Sequence, residues 1–316
     1  ALCLIATAVS KAQVKVLQVK QEGAKEWFYV KPNGEKILVQ GYEKGYTFSP
    51  DGYAPVFDAI KKEFYFINIK GEVLKTEIQG FRIKEGFGFD ITGFEDGMVA
   101  VKKDGKWGYL NTDGKLVFPL KYSGITEFNG GYAVAEIDKT TFILEKSGKE
   151  TQLNNPAIAS VRKFSEGMAP FVGTNKMLGF INTSGNIVVE AKYLSVGYFQ
   201  NGVAWVKTVD KKVGFINQKG EWVLEPNFLS GSEFEKESGL AKVKRTDETV
   251  VLINIRGQVI EVKDADTYSD FSEGYAYAKK GGKVGFIDNT GIWVIQPQFD
   301  AVRNFKNGYA ATKMGD

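Results

Sequence analysis

Two short phrases recur down this chain in strict alternation, and they limit its fold more than any other feature. The first, KWGYLNTDGK at 106–115, returns as MLGFINTSGN at 177–186, KVGFINQKGE at 212–221 and KVGFIDNTGI at 283–292. The glycine that ends its loop falls at 34, 71, 114, 148, 185, 220, 257 and 291. The second phrase, F-x-x-G-x-A or a close variant, puts its glycine at 52, 97, 131, 167, 202, 239, 274 and 308. Most intervals are 34 to 37 residues. Two independent phrases with one period and one order define an internal repeat of about eight units, so the chain is expected to fold as an array.

Each unit reads as strands. The first is G-Y-A-x-V-K, as at 274–279, and a short polar turn follows. The second is K-x-G-F-I-N, and the third is G-x-x-V-x-x-P-x-F, as at 291–299. A link such as 300–305 leaves room for a fourth short strand. Runs of aromatic and β-branched residues bounded by Gly, Asn and Asp are strand and hairpin signals. No window carries a 3.6-residue apolar period long enough for a helix.

The repeated glycines have mechanical roles in this reading. In Asn111-Thr112-Asp113-Gly114 the asparagine is placed to bond the backbone two residues on, and Gly114 supplies a positive φ. Gly185, Gly220 and Gly291 are its counterparts, and the loops open with Asn68, Asn111, Asn182, Asn217, Asn254 or Asp288. Gly108, Gly179, Gly214 and Gly285 stand inside the second strand, where glycine weakens a sheet unless an aromatic ring or a neighbouring backbone packs over it. Trp107 precedes the first of these.

In Gly214-Phe215-Ile216 two large apolar residues are neighbours and point to opposite faces. A sheet apolar on both faces needs cover on both, which in an array comes from the units before and after. The expected class is therefore all-β, with tandem antiparallel sheets of about 35–37 residues each. A propeller-like ring is favoured and an open β-solenoid is the alternative.

Composition narrows the function classes. Hydrophobic residues make up 43% and charged residues 25%, both near globular averages, so the chain is expected to be ordered. The 41 basic and 38 acidic residues are closely mixed and leave +3, which predicts no strong pull toward nucleic acid or anionic membrane. The first residues, ALCLIATAVSKA, are apolar through Val9 and end in small residues around Lys11. They read as the last part of a secretory signal over 1–12, with the mature chain an array over 13–316. Cys3 would leave with the signal, and no later apolar run reaches the roughly 20 residues of a membrane helix. The chain stops at Asp316 just after opening a ninth unit, which reads either as a strand that closes a ring against an early unit or as a truncation.

These phrases resemble the WG-repeat family, whose unit is similar to F-x-E-G-x-A-x-V, then K-W-G-Y-I-D, then G-x-x-V-I. The match is good at 94–122, 164–193, 199–228 and 271–299. It is weak at 22–80, 141–155 and 250–262, where Phe28, Tyr65, Phe142 and Val251 replace the second glycine. The resemblance implies a bacterial, often exported repeat scaffold for binding, and it brings no catalytic motif.

With no histidine and no mature cysteine, Ser-His-Asp and Cys-His nucleophiles and the usual zinc sites are excluded. No phosphate-binding glycine loop and no calcium loop appears, so no catalytic, metal or cofactor residue is expected. Acids such as Asp96, Glu166 and Glu273 precede the F-x-x-G glycine, where turn chemistry accounts for them. Trp222 and Trp293 share a place two residues after the loop glycine, and Trp205 stands in the place of Tyr277. A core role is expected for all three, with sugar stacking at Trp222 and Trp293 as the alternative. The functional expectation is a non-enzymatic, exported scaffold that binds an envelope or extracellular protein. A cell-wall or glycan-binding module is the alternative, and a propeller hydrolase with a carboxylate pair is the remote one.

Overall fold

The computed structural model describes residues 16–20, 23, 25–31, 33–58, 60–84, 93–305 and 308–315. The signal segment read at 1–12, with Cys3, lies outside the described residues. Among the described residues there is no helix, and the strands form separate antiparallel sheets in chain order. Six sheets have four strands each. The sheet of the quoted phrase is typical. Its strands are Arg82–Ile83, Met98–Lys103, Lys106–Asn111 and Leu116–Tyr122, each paired with the next. The link does hold a strand, and it opens the sheet that follows it.

The first sheet, Leu17–Val19 with Phe28–Val30, and the last, Ala301–Val302 with Thr312–Lys313, remain separate. No strand shared between first and last units closes the array among the described residues.

The core lies between consecutive sheets. One cluster joins Met168, Phe180 and Val189 of one sheet to Val196, Phe199 and Val206 of the next. Its centre is an aromatic pair that repeats along the array. The aromatic residue after the second-strand glycine packs on the F-x-x-G phenylalanine of the following unit. The ring centroids are 4.9 Å apart for Tyr109 and Phe128, 4.8 Å for Phe180 and Phe199, 5.0 Å for Phe215 and Phe234, and 4.8 Å for Phe286 and Phe305. The quoted phrase is thus a building block: each copy supplies one half of a joint.

The Asx loops form as the sequence predicts. Asn111 Oδ1 accepts the N–H groups of Asp113 at 3.0 Å and Lys115 at 2.9 Å, and Gly114 has φ of 77°. Asn182, Asn217, Asn254 and Asp288 repeat the pattern.

What packs over the second-strand glycines is backbone. Trp107 pairs with Tyr122 while Tyr109 pairs with Phe118, so the outer strand carries two extra residues opposite Gly108. That bulge lies over the glycine: a Cβ on Gly108 would sit 2.5 Å from the Phe118 carbonyl oxygen. The same shift recurs at Gly179, Gly214 and Gly285. The bulges, with Pro119, Pro226 and Pro297, also spoil the outer edges as templates for further pairing.

Where the glycine is missing the outer strand is short and has no bulge, which corrects the expectation of a uniform third strand. Phe142 and Val251 sit in sheets whose outer strands are only Glu150–Gln152 and Val259–Ile260, paired without a bulge. In the unit of Tyr65 the outer strand is reduced to a single bridge between Ile67 and Val73.

Several buried phenols make the joints sensitive to alkali. Burial pushes the hydroxyls of Tyr29, Tyr109 and Tyr122 well above the usual tyrosine value, with the Glu150 carboxylate adding to the effect at Tyr122. The folded chain holds these protons more tightly than the unfolded chain. Their contribution is therefore complete below about pH 10 and is lost as pH rises above it, at about 1.4 kcal/mol per pH unit for each phenol. Urea titrations are expected to show a flat midpoint to about pH 9.5 and a steep fall by about pH 11. A midpoint unchanged at the higher pH would contradict this.

Candidate functional site

Strand alternation gives the array two ends. The hairpins between the two long inner strands, such as 103–106, turn at one end. The Asx loops and the F-x-x-G turns gather at the other.

Five of the F-x-x-G turns, at 95–98, 129–132, 165–168, 200–203 and 272–275, are two-residue hairpins with both central residues at positive φ, and those at 49–53 and 235–240 are longer. Asp96 and Gly97 have φ of 53° and 73°. The acids do more than shape the turns, which adds to the sequence reading. Each reaches the glycine N–H of the next unit's turn. Gly97 donates to Asp51 at 2.9 Å, Gly131 to Asp96, Gly202 to Glu166 at 2.8 Å, and Gly308 to Glu273 at 2.6 Å. These bonds tie neighbouring units at this end.

Beside them, on the short-strand side, charged residues from successive units meet. Lys84 Nζ lies 2.6 Å from Glu127 Oε1. Lys163 Nζ sits 5.5 Å from the centre of the Tyr198 ring, and Tyr198 N–H donates to Glu233 at 3.2 Å. Lys163 also acts on Glu95, two units upstream, and Glu127 acts on Tyr198, two units downstream. The charges of this side therefore act on one another across an intervening unit, as expected where a propeller-like array curves toward them.

Glu95 and Glu127 line one cleft with Lys84, Met98, Tyr109 and Phe128, and it has room for about one water molecule. Their carboxyls shift in opposite directions. Desolvation in the cleft and then the Glu127 charge raise Glu95, although much of that residue is exposed. At Glu127 burial pushes upward, but the Lys84 ammonium, a backbone amide and Lys163 outweigh it and hold the carboxyl below the usual range. The sequence reading missed this cluster. Of its charged residues Lys84 and Glu127 lie in links and Glu95 at a variable position of the F-x-x-G phrase, so no repeated letter marks them.

The residues singled out from sequence are distributed along the array. Trp107 is half-buried, with Lys102 Nζ 5.1 Å from its ring centre. Gly114 and Gly291 lie against the preceding unit's backbone, at Lys75 and Glu261, while Gly185 faces Leu153 and Gly220 faces Val189. Trp222 is 38% exposed; its ring covers Gly214 and meets Tyr193 edge-on at 6.3 Å. Trp293 packs on Ala276, Ala278 and Ile287. An intervening sheet separates these two tryptophans, so they do not form one platform. Trp205 packs against Gly197 with its indole nitrogen buried and without a hydrogen-bond partner.

Among the described residues no group of three or more His, Cys, Asp or Glu could hold a metal, and no helix is long and apolar enough to cross a membrane.

No curated protein matches the chain. Among solved structures, it is similar to a eukaryotic initiation factor at 12% identity, covering 93% of this chain and 87% of that one, with a TM-score of 0.59. Weaker likenesses are the computationally designed Ika8 protein and BamB from Moraxella catarrhalis. The first is 14% identical over 85% of this chain and 94% of its own, with a TM-score of 0.44. The second is 11% identical over 85% and 96%, with a TM-score of 0.39. The likeness concerns fold alone, a propeller-like array of four-stranded sheets. The family described as WG containing repeat matches residues 90–107, 107–140, 179–212, 214–247, 266–283 and 285–316. With more than half of its length matched in this way, the chain belongs to the WG-repeat family.

Proposed function

We propose that this chain is an exported, non-enzymatic scaffold that binds another protein of the cell envelope or extracellular space through the concave side of its Asx-loop end. The observation that supports this reading is the charged line from Lys84 through Glu127 and Lys163 to Glu233, drawn from successive units. Alternating fixed charges on a rigid repeat surface select a partner with the complementary pattern more than they add raw affinity. The bulged outer edges are poor pairing sites, which leaves this side as the recognition surface.

The hydrolase reading gains a carboxyl pair in Glu95 and Glu127. However, a cleft with room for about one water gives a sugar ring no seat. The glycan reading rests on Trp222 and Trp293, which stand apart and are engaged in packing.

The test is crosslinked capture from envelope extract by the chain from Gln13, beside pelleting on purified cell wall. The paired variant Glu127→Lys with Lys163→Glu serves as control. One dominant partner, lost about tenfold or more on this reversal, is the expected result. Capture unchanged by the reversal, or cell-wall pelleting alone, would reject the proposal.

A further inference from the structure

The opposite end of the array has a different chemistry. The even mixture of charges along the sequence does not survive folding there. Lys62, Lys106, Lys139, Lys176, Lys211 and Lys279 stand exposed on or beside six of the hairpin tips. Ion pairs at this end occupy Lys61, Lys244, Lys280 and Lys283. The six exposed lysines make none among the described residues. Acids share some tips but are outnumbered on two of them. Asp104 stands with Lys102, Lys103 and Lys106, and Asp210 stands with Lys207, Lys211 and Lys212.

Four of these lysines are held against backbone preference. Lys62, Lys139, Lys176 and Lys211 have φ of 56°, 70°, 66° and 62°. Lys211 closes its turn with the bonds of the Asx loops: its N–H donates to Thr208 at 2.9 Å, and Thr208 N–H donates to Lys212 at 2.8 Å. In the Asx loops Gly114 does the same with Asn111 at 2.9 Å. The array therefore builds this turn with glycine at one end, and at the other with lysine at Lys176 and Lys211 and glutamate at Glu248.

Two of the tips also carry bare apolar residues. Ile60 is 94% exposed and Val209 is 64% exposed, each within three residues of these lysines.

We propose that the hairpin-tip end of the array docks on an anionic lipid surface. The lysine ammonium groups would meet headgroup phosphates, and Ile60 and Val209 would enter the apolar boundary beneath them. The apolar tips decide between lipid and other polyanions. A nucleic acid or an acidic polysaccharide would engage the ammonium groups and gain nothing from Ile60 and Val209. Docking at this end leaves the concave Asx-loop side facing away from the surface.

The test is co-sedimentation of the full chain with phosphatidylcholine vesicles, with and without phosphatidylglycerol, at low and high salt. Binding only to the anionic vesicles, weakened by salt, is expected. The combined variant Lys62→Gly, Lys139→Gly, Lys176→Gly and Lys211→Gly places glycine where φ is already positive, so its thermal midpoint is expected to hold. Its vesicle affinity is expected to fall at least about tenfold. The variant Ile60→Ser with Val209→Ser is expected to lose about threefold or more while keeping the salt dependence. Equal binding to neutral vesicles, or no binding to either, overturns the proposal. So does full binding by the glycine variant. Unchanged vesicle binding by the serine variant shows attraction to any polyanion and equally rejects lipid docking.

Discussion

Replacing Gly285 by alanine is expected to destabilise the chain by about 3 kcal/mol or more, a large effect for a single methyl group. A Cβ there would lie 2.2 Å from the carbonyl oxygen of Ile295 and 2.8 Å from Pro297 N. Both are backbone atoms of the bulged strand Trp293–Phe299, so no side-chain rotation relieves the overlap. The strand must lift, and with it goes the pairing of Val284 with Phe299. Gly105→Ala is the control. Gly105 has φ of 80° with open space around it, so only the backbone term of about 1 kcal/mol applies. Urea unfolding of both variants, with amide exchange over 293–299, measures the difference. Equal losses in the two would show that the bulge does not press on the glycine.

The second large effect is expected at a joint. Phe180 is fully buried and meets Phe199 of the next unit at 64° with centroids 4.8 Å apart. Phe180→Ala removes a ring from a close-packed site, at about 3–5 kcal/mol. The loss falls on an interface between units. In a linear array stability is a sum of unit and interface terms, so weakening one interface separates the two sides. Phe180→Ala is therefore expected to turn one unfolding transition into two, with units before and after residue 193 melting apart. Fluorescence alone will misplace this boundary, because Trp27 and Trp107 lie on one side and Trp205, Trp222 and Trp293 on the other. Amide exchange across the chain locates it. A single transition lowered by less than about 1 kcal/mol would show that the joint does not couple the units.

How much was legible in the sequence follows from how far each interaction reaches. The Asx loops were fully legible, since Asn111 bonds Asp113 and Lys115 within one turn. The second-strand glycines were half legible. Their residue type announced a close approach, but the bulge of Leu116–Tyr122 appears only in the register of the paired strands. The acids before the F-x-x-G glycines were assigned to their own turns, and their bonds to the next unit, as from Gly202 to Glu166, were missed. Glu127 and Lys163 stand just before the F-x-x-G phrase and Glu95 at a variable position within it, and the residue at each of these places changes from unit to unit.

The sequence by itself determined the repeat, its strands and its loops, because these rest on contacts within a few residues that recur with the same letters. Only the tertiary structure decided which charges of successive units meet beside the Asx loops and which lysines the hairpin tips present. Those depend on how one sheet sits on the next. The stacking brings together residues about 35 positions apart, and residues two units apart, whose identities need not repeat for the packing to hold. A chain with +3 net charge and an even mixture of signs thus acquires a charged line beside its Asx loops and exposed lysines on its hairpin tips.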